Sequence, residues 1–371
     1  MANWNIEKLF SEKTPYDVIS SEGSIRGIVY ENEPFLGKPS KVFAYLGIPE
    51  NIDGKVPAIV CIHGGGGKAF KEWVEMWVNR GYAAISMDFG GMGPDGKRLA
   101  DAGPEQTHEA KFTVSLGWKD LWTYHAIAAI IRAHNILRLD PRIDSSRIAA
   151  TGISWGGYLT CIISGVDNRL CCAVPVYGCG FLQDNSAEEW MNIFSKMPEE
   201  ERKFWHENSD PSSYLKNTRM PIMFVTGTND FAYPLDSLKK SYSVVKGPLT
   251  LCVRLEMPHE HEAGWAPREI QAYTDSFFRK TPALPKISAM TIEGSHASAT
   301  FSSEKKIAGA YLLYSKDMGT WQTRKWVQIP AELKKGRVCA DLPSDAKVFY
   351  LALETDDGLM VSTPHEENLN Y

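Results

Sequence analysis

Gly152-Ile153-Ser154-Trp155-Gly156-Gly157 is the stretch that decides the fold. The β-run Arg147-Ile148-Ala149-Ala150-Thr151-Gly152-Ile153 leads into it, and Trp155 to Ile163 has the composition of a buried helix. A strand that becomes a helix within one residue holds that residue in a strained conformation, so the positions two before and two after it must lack bulk. Gly152 and Gly156 meet that need, and Gly157 lets the helix lie close to the sheet. A strand-turn-helix with Ser154 at its tip is the expected local structure.

Outward from this turn, short continuous apolar runs recur at Pro57 to Ile62, Tyr82 to Met87, Leu170 to Tyr177, Pro221 to Thr226 and Thr250 to Met257. Such runs fit parallel strands buried on both faces. Helical patterns lie between them: one with Trp73, Met76 and Trp77 on a single face, a long one from Gly117 to Leu139 stopped by Asp140-Pro141, and others at Leu235 to Lys246 and Pro267 to Phe278. The alternation predicts an α/β domain over 1–282, a mostly parallel sheet with helices on both faces. From Gly178 to Leu215 the chain is polar, helix-prone and punctuated by aromatics. That is longer than a regular connection and is expected to be an inserted helical cap. Past Thr281-Pro282-Ala283-Leu284-Pro285, short β-rich runs separated by turn signals predict a small antiparallel β-sandwich, immunoglobulin- or fibronectin-like, over 283–371.

The net charge of −5 comes from 40 basic and 45 acidic residues with no basic run, which argues against nucleic acid or an anionic membrane as partner. No apolar stretch has the length of a membrane span, and the first residues lack the apolar core of a signal peptide. Seven cysteines, without a Cys-x-x-Cys pair and mostly inside apolar runs, point to a reducing, cytoplasmic setting. The sequence is compatible with a homo-oligomer and does not decide it.

A serine at such a turn becomes a nucleophile only with an adjacent base, and the base needs a third group to fix its tautomer. Both should sit on loops after later strands. The strand Pro221 to Thr226 ends in Gly227-Thr228-Asn229-Asp230, where Asp230 is the candidate orienting carboxylate. The next strand ends in Met257-Pro258-His259-Glu260-His261-Glu262, offering two histidines. His259 directly follows Pro258, where the chain is still stiff, whereas His261 has more room to turn back. His261 is therefore the expected base and His259 the second candidate. His-x-His is also a fragment of a metal site, but with no third ligand cluster neither a metal nor another cofactor is expected. Acyl transfer needs backbone N–H donors for an oxyanion. Trp155, after the serine, should supply one. Gly65, or failing that Gly66, in the run His63-Gly64-Gly65-Gly66-Gly67 should supply the other.

The ordered set His63-Gly64-Gly65-Gly66, Gly152-x-Ser154-x-Gly156, Gly227-x-x-Asp230-x-x-x-Pro234 and a late His-Glu resembles the α/β-hydrolase superfamily. Within it, residues 38–280 are similar to the acetyl xylan esterase and cephalosporin-C deacetylase group and to prolyl-oligopeptidase-like hydrolases. In that group the matching histidine is followed by glutamate, as His261 is by Glu262. Where its deacetylases carry an aromatic residue directly after the His-Gly, this chain has Gly65. The resemblance implies a serine carboxylesterase acting on a small-molecule or carbohydrate ester. A prolyl-oligopeptidase-like peptidase and a catalytically idle binding or scaffold protein are the alternatives. The C-terminal β-unit lies outside the minimal hydrolase and is expected to lend the chemistry no residue.

Overall fold

A computed structural model describes residues 4–50 and 52–368. Its largest sheet is formed by β1 (Tyr16–Glu22), β2 (Ile25–Phe35), β3 (Lys38–Gly47), β4 (Val56–Ile62), β5 (Ala83–Met87), β6 (Ile143–Ile153), β7 (Cys172–Val176), β8 (Ile222–Gly227) and β9 (Leu249–Arg254). Among the described residues the order is β1-β2-β3-β5-β4-β6-β7-β8-β9. The first three strands run as antiparallel neighbours, and the pairings from β5 through β9 are parallel. β4, β5, β7 and β8 are buried along their whole length, which is why they read as unbroken apolar runs. β1 was not anticipated: after Tyr16 every residue of it is exposed, so it carries no hydrophobic signal.

Helices α1 (Lys71–Asn79), α2 (Trp122–Leu139) and α3 (Trp155–Val166) connect these strands. α2 begins later than its apolar pattern suggests. Gly117 has φ 80°, a single 3₁₀ turn covers Trp118–Asp120, and Leu121 is extended before the helix takes hold. Between β7 and β8 lie α4 (Glu188–Lys196), α5 (Glu199–Asn208) and a short turn of helix at Ser212–Leu215.

The C-terminal part forms two antiparallel sheets, one built on His296–Ser302 and Arg337–Asp341, the other on Ile307–Ser315 and Val348–Thr355. Every residue from Val348 to Leu353 is buried, so this strand is covered on both sides. It lies near the outer edge of β9, where the Val253 N–H donates to Ser362 Oγ at 3.1 Å and the Tyr350 hydroxyl donates to the Val253 carbonyl at 3.3 Å. Two side chains thus stand in for a further strand on an edge that would otherwise leave backbone groups unpaired. Together these elements are an α/β-hydrolase fold with an appended antiparallel β-unit.

Candidate active site

Ser154 sits between β6 and α3 with φ 58° and ψ −119°, a conformation L-residues rarely adopt. The surrounding glycines make it affordable. A Cβ on Gly152 would lie 2.2 Å from the Gly156 oxygen, one on Gly156 would lie 1.9 Å from the Ile62 oxygen, and one on Gly157 would lie 2.3 Å from the Val176 oxygen. The turn is pinned by a bond from the Ser154 N–H to the Val176 carbonyl at 2.9 Å. The serine side chain is thereby raised into a cleft of about 520 Å³ lined by Gly65, Gly66, Ser154, Trp155, His259 and His261, among others.

The acid loop follows β8. Asp230 is 2% exposed, and its Oδ1 accepts the N–H groups of Ala232 at 3.0 Å and Tyr233 at 2.7 Å. Its Oδ2 bonds Nδ1 of His259 at 2.7 Å. The His259 ring is stacked on Tyr177 at 4.5 Å and flanked by Phe231 at 4.7 Å and Tyr233 at 6.4 Å. With Nδ1–H given to the carboxylate, Nε2 is left as the acceptor in a cleft it shares with Ser154.

His261 is employed differently. Its Nε2 accepts the Gly64 N–H at 3.1 Å, and its ring leans on Phe70 at 4.8 Å. Burial, then the neighbouring His259, hold its pKa below the usual histidine value, so it stays neutral. A nitrogen already accepting one backbone proton is not free to take another from a serine. The expected Asp230–His261 contact is therefore replaced by Asp230–His259, and His261 buttresses the glycine loop. The bias toward His261 came from two cues that do not discriminate. His259 is also followed by a glutamate, Glu260, and its position directly after Pro258 does not keep its ring from Tyr177 and Asp230.

In the glycine loop, the Gly64 amide goes to His261 and the Gly67 amide to the Gly64 carbonyl at 3.1 Å. His63 supports the loop from beneath: Nδ1 bonds the Gly64 oxygen at 2.7 Å and Nε2 accepts the Phe89 N–H at 3.1 Å. Burial lowers its pKa to about 3, so it is neutral. Gly65 and Gly66 line the cleft, and Trp155 opens α3, where its N–H has no acceptor within the helix. Gly65 must lack a side chain, since a Cβ there would lie 2.7 Å from Trp155 Cδ1.

Sequence reasoning missed two contributors. Asn229 donates from Nδ2 to the carbonyls of Gln322 at 3.2 Å and Arg324 at 2.7 Å, tying the acid loop to the C-terminal β-unit. No local pattern announces a bond across more than ninety residues. Lys111, in the unanticipated short helix His108–Phe112, lines the same cleft. Among the described residues, no group of three or more His, Cys, Asp or Glu side chains is arranged to hold a metal ion.

Residues 29–206 match the family model of acetyl xylan esterase (AXE1). The chain is 24% identical over 227 residues to the uncharacterized peptidase YuxL of Bacillus subtilis, covering 55% of this chain and 31% of that protein. It is 23% identical over 221 residues to the acetyl esterase Axe7A of Xylanibacter ruminicola, covering 56% of this chain and 50% of that one. The chain thus spans half or less of these curated relatives. Among solved structures, the acetyl xylan esterase from Paenibacillus sp. R4 superposes with a TM-score of 0.58 at 20% identity, over 69% of this chain and 87% of that one. The protein has the α/β-hydrolase fold. Its likeness over residues 29–206 is to the acetyl xylan esterases.

Proposed function

We propose that the chain is a serine carboxylesterase that hydrolyses small acyl esters, acylated carbohydrates among them. The observation that carries this reading is the Asp230–His259 hydrogen bond, with His259 lining the same cleft as the strained Ser154. Ser154 Oγ attacks the ester carbonyl while His259 Nε2 takes its proton, and Asp230 steadies the imidazolium through Nδ1. The N–H groups of Trp155 and Gly65, with Gly66 as the second choice for the latter, hold the oxyanion. His259 returns the proton to the departing alcohol, and water, deprotonated by the same nitrogen, releases the acid from Ser154. The helical insertion over 178–215 forms one wall of the cleft through Ala187, Glu189 and Trp190 and acts as the cap of the hydrolase unit 1–282, with 283–371 as the second unit.

The likeness to a protein named as a peptidase keeps an exopeptidase of the prolyl-oligopeptidase type as the second reading. Turnover of p-nitrophenyl acetate beside Ala-Pro-p-nitroanilide separates the two. Ester hydrolysis that dominates and vanishes on sulfonyl fluoride labelling of Ser154 supports the esterase. Amide cleavage that dominates supports the peptidase, and neither activity supports an idle scaffold. Among the described residues no helix is long and apolar enough to cross a membrane. The cysteines described are all free, in keeping with a cytoplasmic site of action.

A further inference from the structure

Lys111 is 3% exposed, yet among the described residues its ammonium pairs with no carboxylate or hydrogen-bond acceptor. Its position is fixed. Trp205 Nε1 donates to the Lys111 carbonyl at 2.9 Å, and Thr107 caps the start of its helix. The ammonium lies over the rings of Trp155 at 4.8 Å and Trp122 at 5.3 Å. A Cβ on Gly65 would come within 3.2 Å of Nζ, which puts the charge beside the glycine loop, in the cleft that holds Ser154. Two glutamates, Glu189 and Glu260, also line the cleft; neither pairs with Lys111, and Glu189 Oε1 bonds His108 Nδ1 at 2.8 Å.

An enclosed ammonium without a counter-charge is costly to keep, and aromatic faces offset only part of that cost. Burial alone lowers its pKa to about 8, which leaves it mainly protonated near neutrality. An anion entering the cleft would supply the missing partner.

We infer that Lys111 is a specificity-determining residue that receives a carboxylate of the substrate, so that the preferred esters carry a negative charge near the scissile bond. This rests on the esterase reading. The carboxylate belongs either to the acyl half, as in a dicarboxylic acid half-ester, or to the alcohol half, as in an acylated uronic acid.

Two matched pairs distinguish these sources: p-nitrophenyl hemiglutarate against p-nitrophenyl pentanoate, and methyl O-acetyl-glucuronoside against methyl O-acetyl-glucoside. The wild-type protein should favour the charged member of one pair by about tenfold or more in kcat/KM. In Lys111→Met that charged-to-neutral ratio should collapse toward one, and in Lys111→Arg part of it should return. Absence of a charged preference in both pairs overturns the proposal, as does a preference that survives in Lys111→Met. Calorimetry of glutarate and glucuronate on Ser154→Ala and on Ser154→Ala/Lys111→Met separates the anion site from the activity. Binding abolished by the second substitution upholds the site even if no ester turns over, in which case the esterase reading alone fails. Binding of neither anion, or binding that Lys111→Met leaves unchanged, sinks the inference. Circular dichroism establishes that each variant is folded.

Discussion

The two sides of the cleft are built by different means. The serine side, comprising the β6–α3 turn and the glycine loop after β4, is shaped by the absence of side chains at Gly65, Gly152, Gly156 and Gly157. The acid–histidine side is shaped by side chains: Asp230 is fixed by backbone amides, His259 by three aromatic rings, and Asn229 by carbonyls of the C-terminal unit. Local sterics suffice for the first side. The second depends on groups far away in the chain.

The sharpest break of this comparison is Ser154→Ala. It should leave a folded protein whose kcat/KM for p-nitrophenyl acetate falls by at least about a thousandfold, since the nucleophile and its base act as one unit. Activity surviving the substitution would remove the serine side from the chemistry altogether.

Next in size is the contrast between the two histidines. His259→Ala should approach the loss of Ser154→Ala. His261→Ala should cost only about tenfold to a hundredfold, roughly 1.4 to 2.7 kcal/mol of barrier, because it frees the Gly64 amide and loosens the glycine loop. Paired kinetics on the two variants decide the matter. A dead His261→Ala beside an active His259→Ala would reverse their roles.

Why the serine side was legible in sequence, and the other only in outline, follows from these forces. Glycine spacing around Ser154 is a steric code written in six residues, and Asp230 stands where its strand ends. Choosing between His259 and His261 depends on which ring meets Tyr177, a residue with φ 52° more than eighty positions earlier. No spacing rule reaches that far. The parallel strands were visible because burial on both faces leaves unbroken apolar runs. β1 and the helix of Lys111 were not, being either exposed or a single short turn. The C-terminal β-unit was readable as a sandwich but not as a support for the acid loop.

That support is the third point of attack. Asn229→Ala removes two hydrogen bonds to carbonyls of the β-unit and should lower kcat by about threefold to tenfold, with about 1 kcal/mol lost in stability. Kinetics and urea unfolding are read together. Lost stability with unaltered kcat would mean that the tie holds the two units together without steering Asp230.

A separate effect concerns acid. Burial lowers the pKa of His63 to about 3, of His125 to about 4 and of His365 to about 3. In the unfolded chain each takes up a proton near pH 6.5, so below that value the unfolded state binds more protons than the folded one. Stability should therefore be full above about pH 6.5 and fall as pH drops toward the folded values, by up to about 1.4 kcal/mol per pH unit for each histidine. Urea midpoints at pH 7.5 and 5.5 should show the decline. His125→Phe should flatten it by one share, since neither His125 ring nitrogen has a hydrogen-bond partner to lose. An unchanged slope in that variant would assign the acid sensitivity to the other buried histidines.

In the proposed cycle, the aromatic clamp on His259 constrains the route of the proton. With the ring stacked on Tyr177 and Nδ1 anchored to Asp230, the imidazole cannot rotate between the acylation and deacylation halves of a cycle. One nitrogen must be loaded and unloaded on the same side of the cleft. The departing alcohol and the incoming water are then successive tenants of a single position, and the second enters only when the first has left. A bulky alcohol that lingers there would slow turnover without touching Ser154, and an added alcohol acceptor would compete with water for the acyl group at that same place.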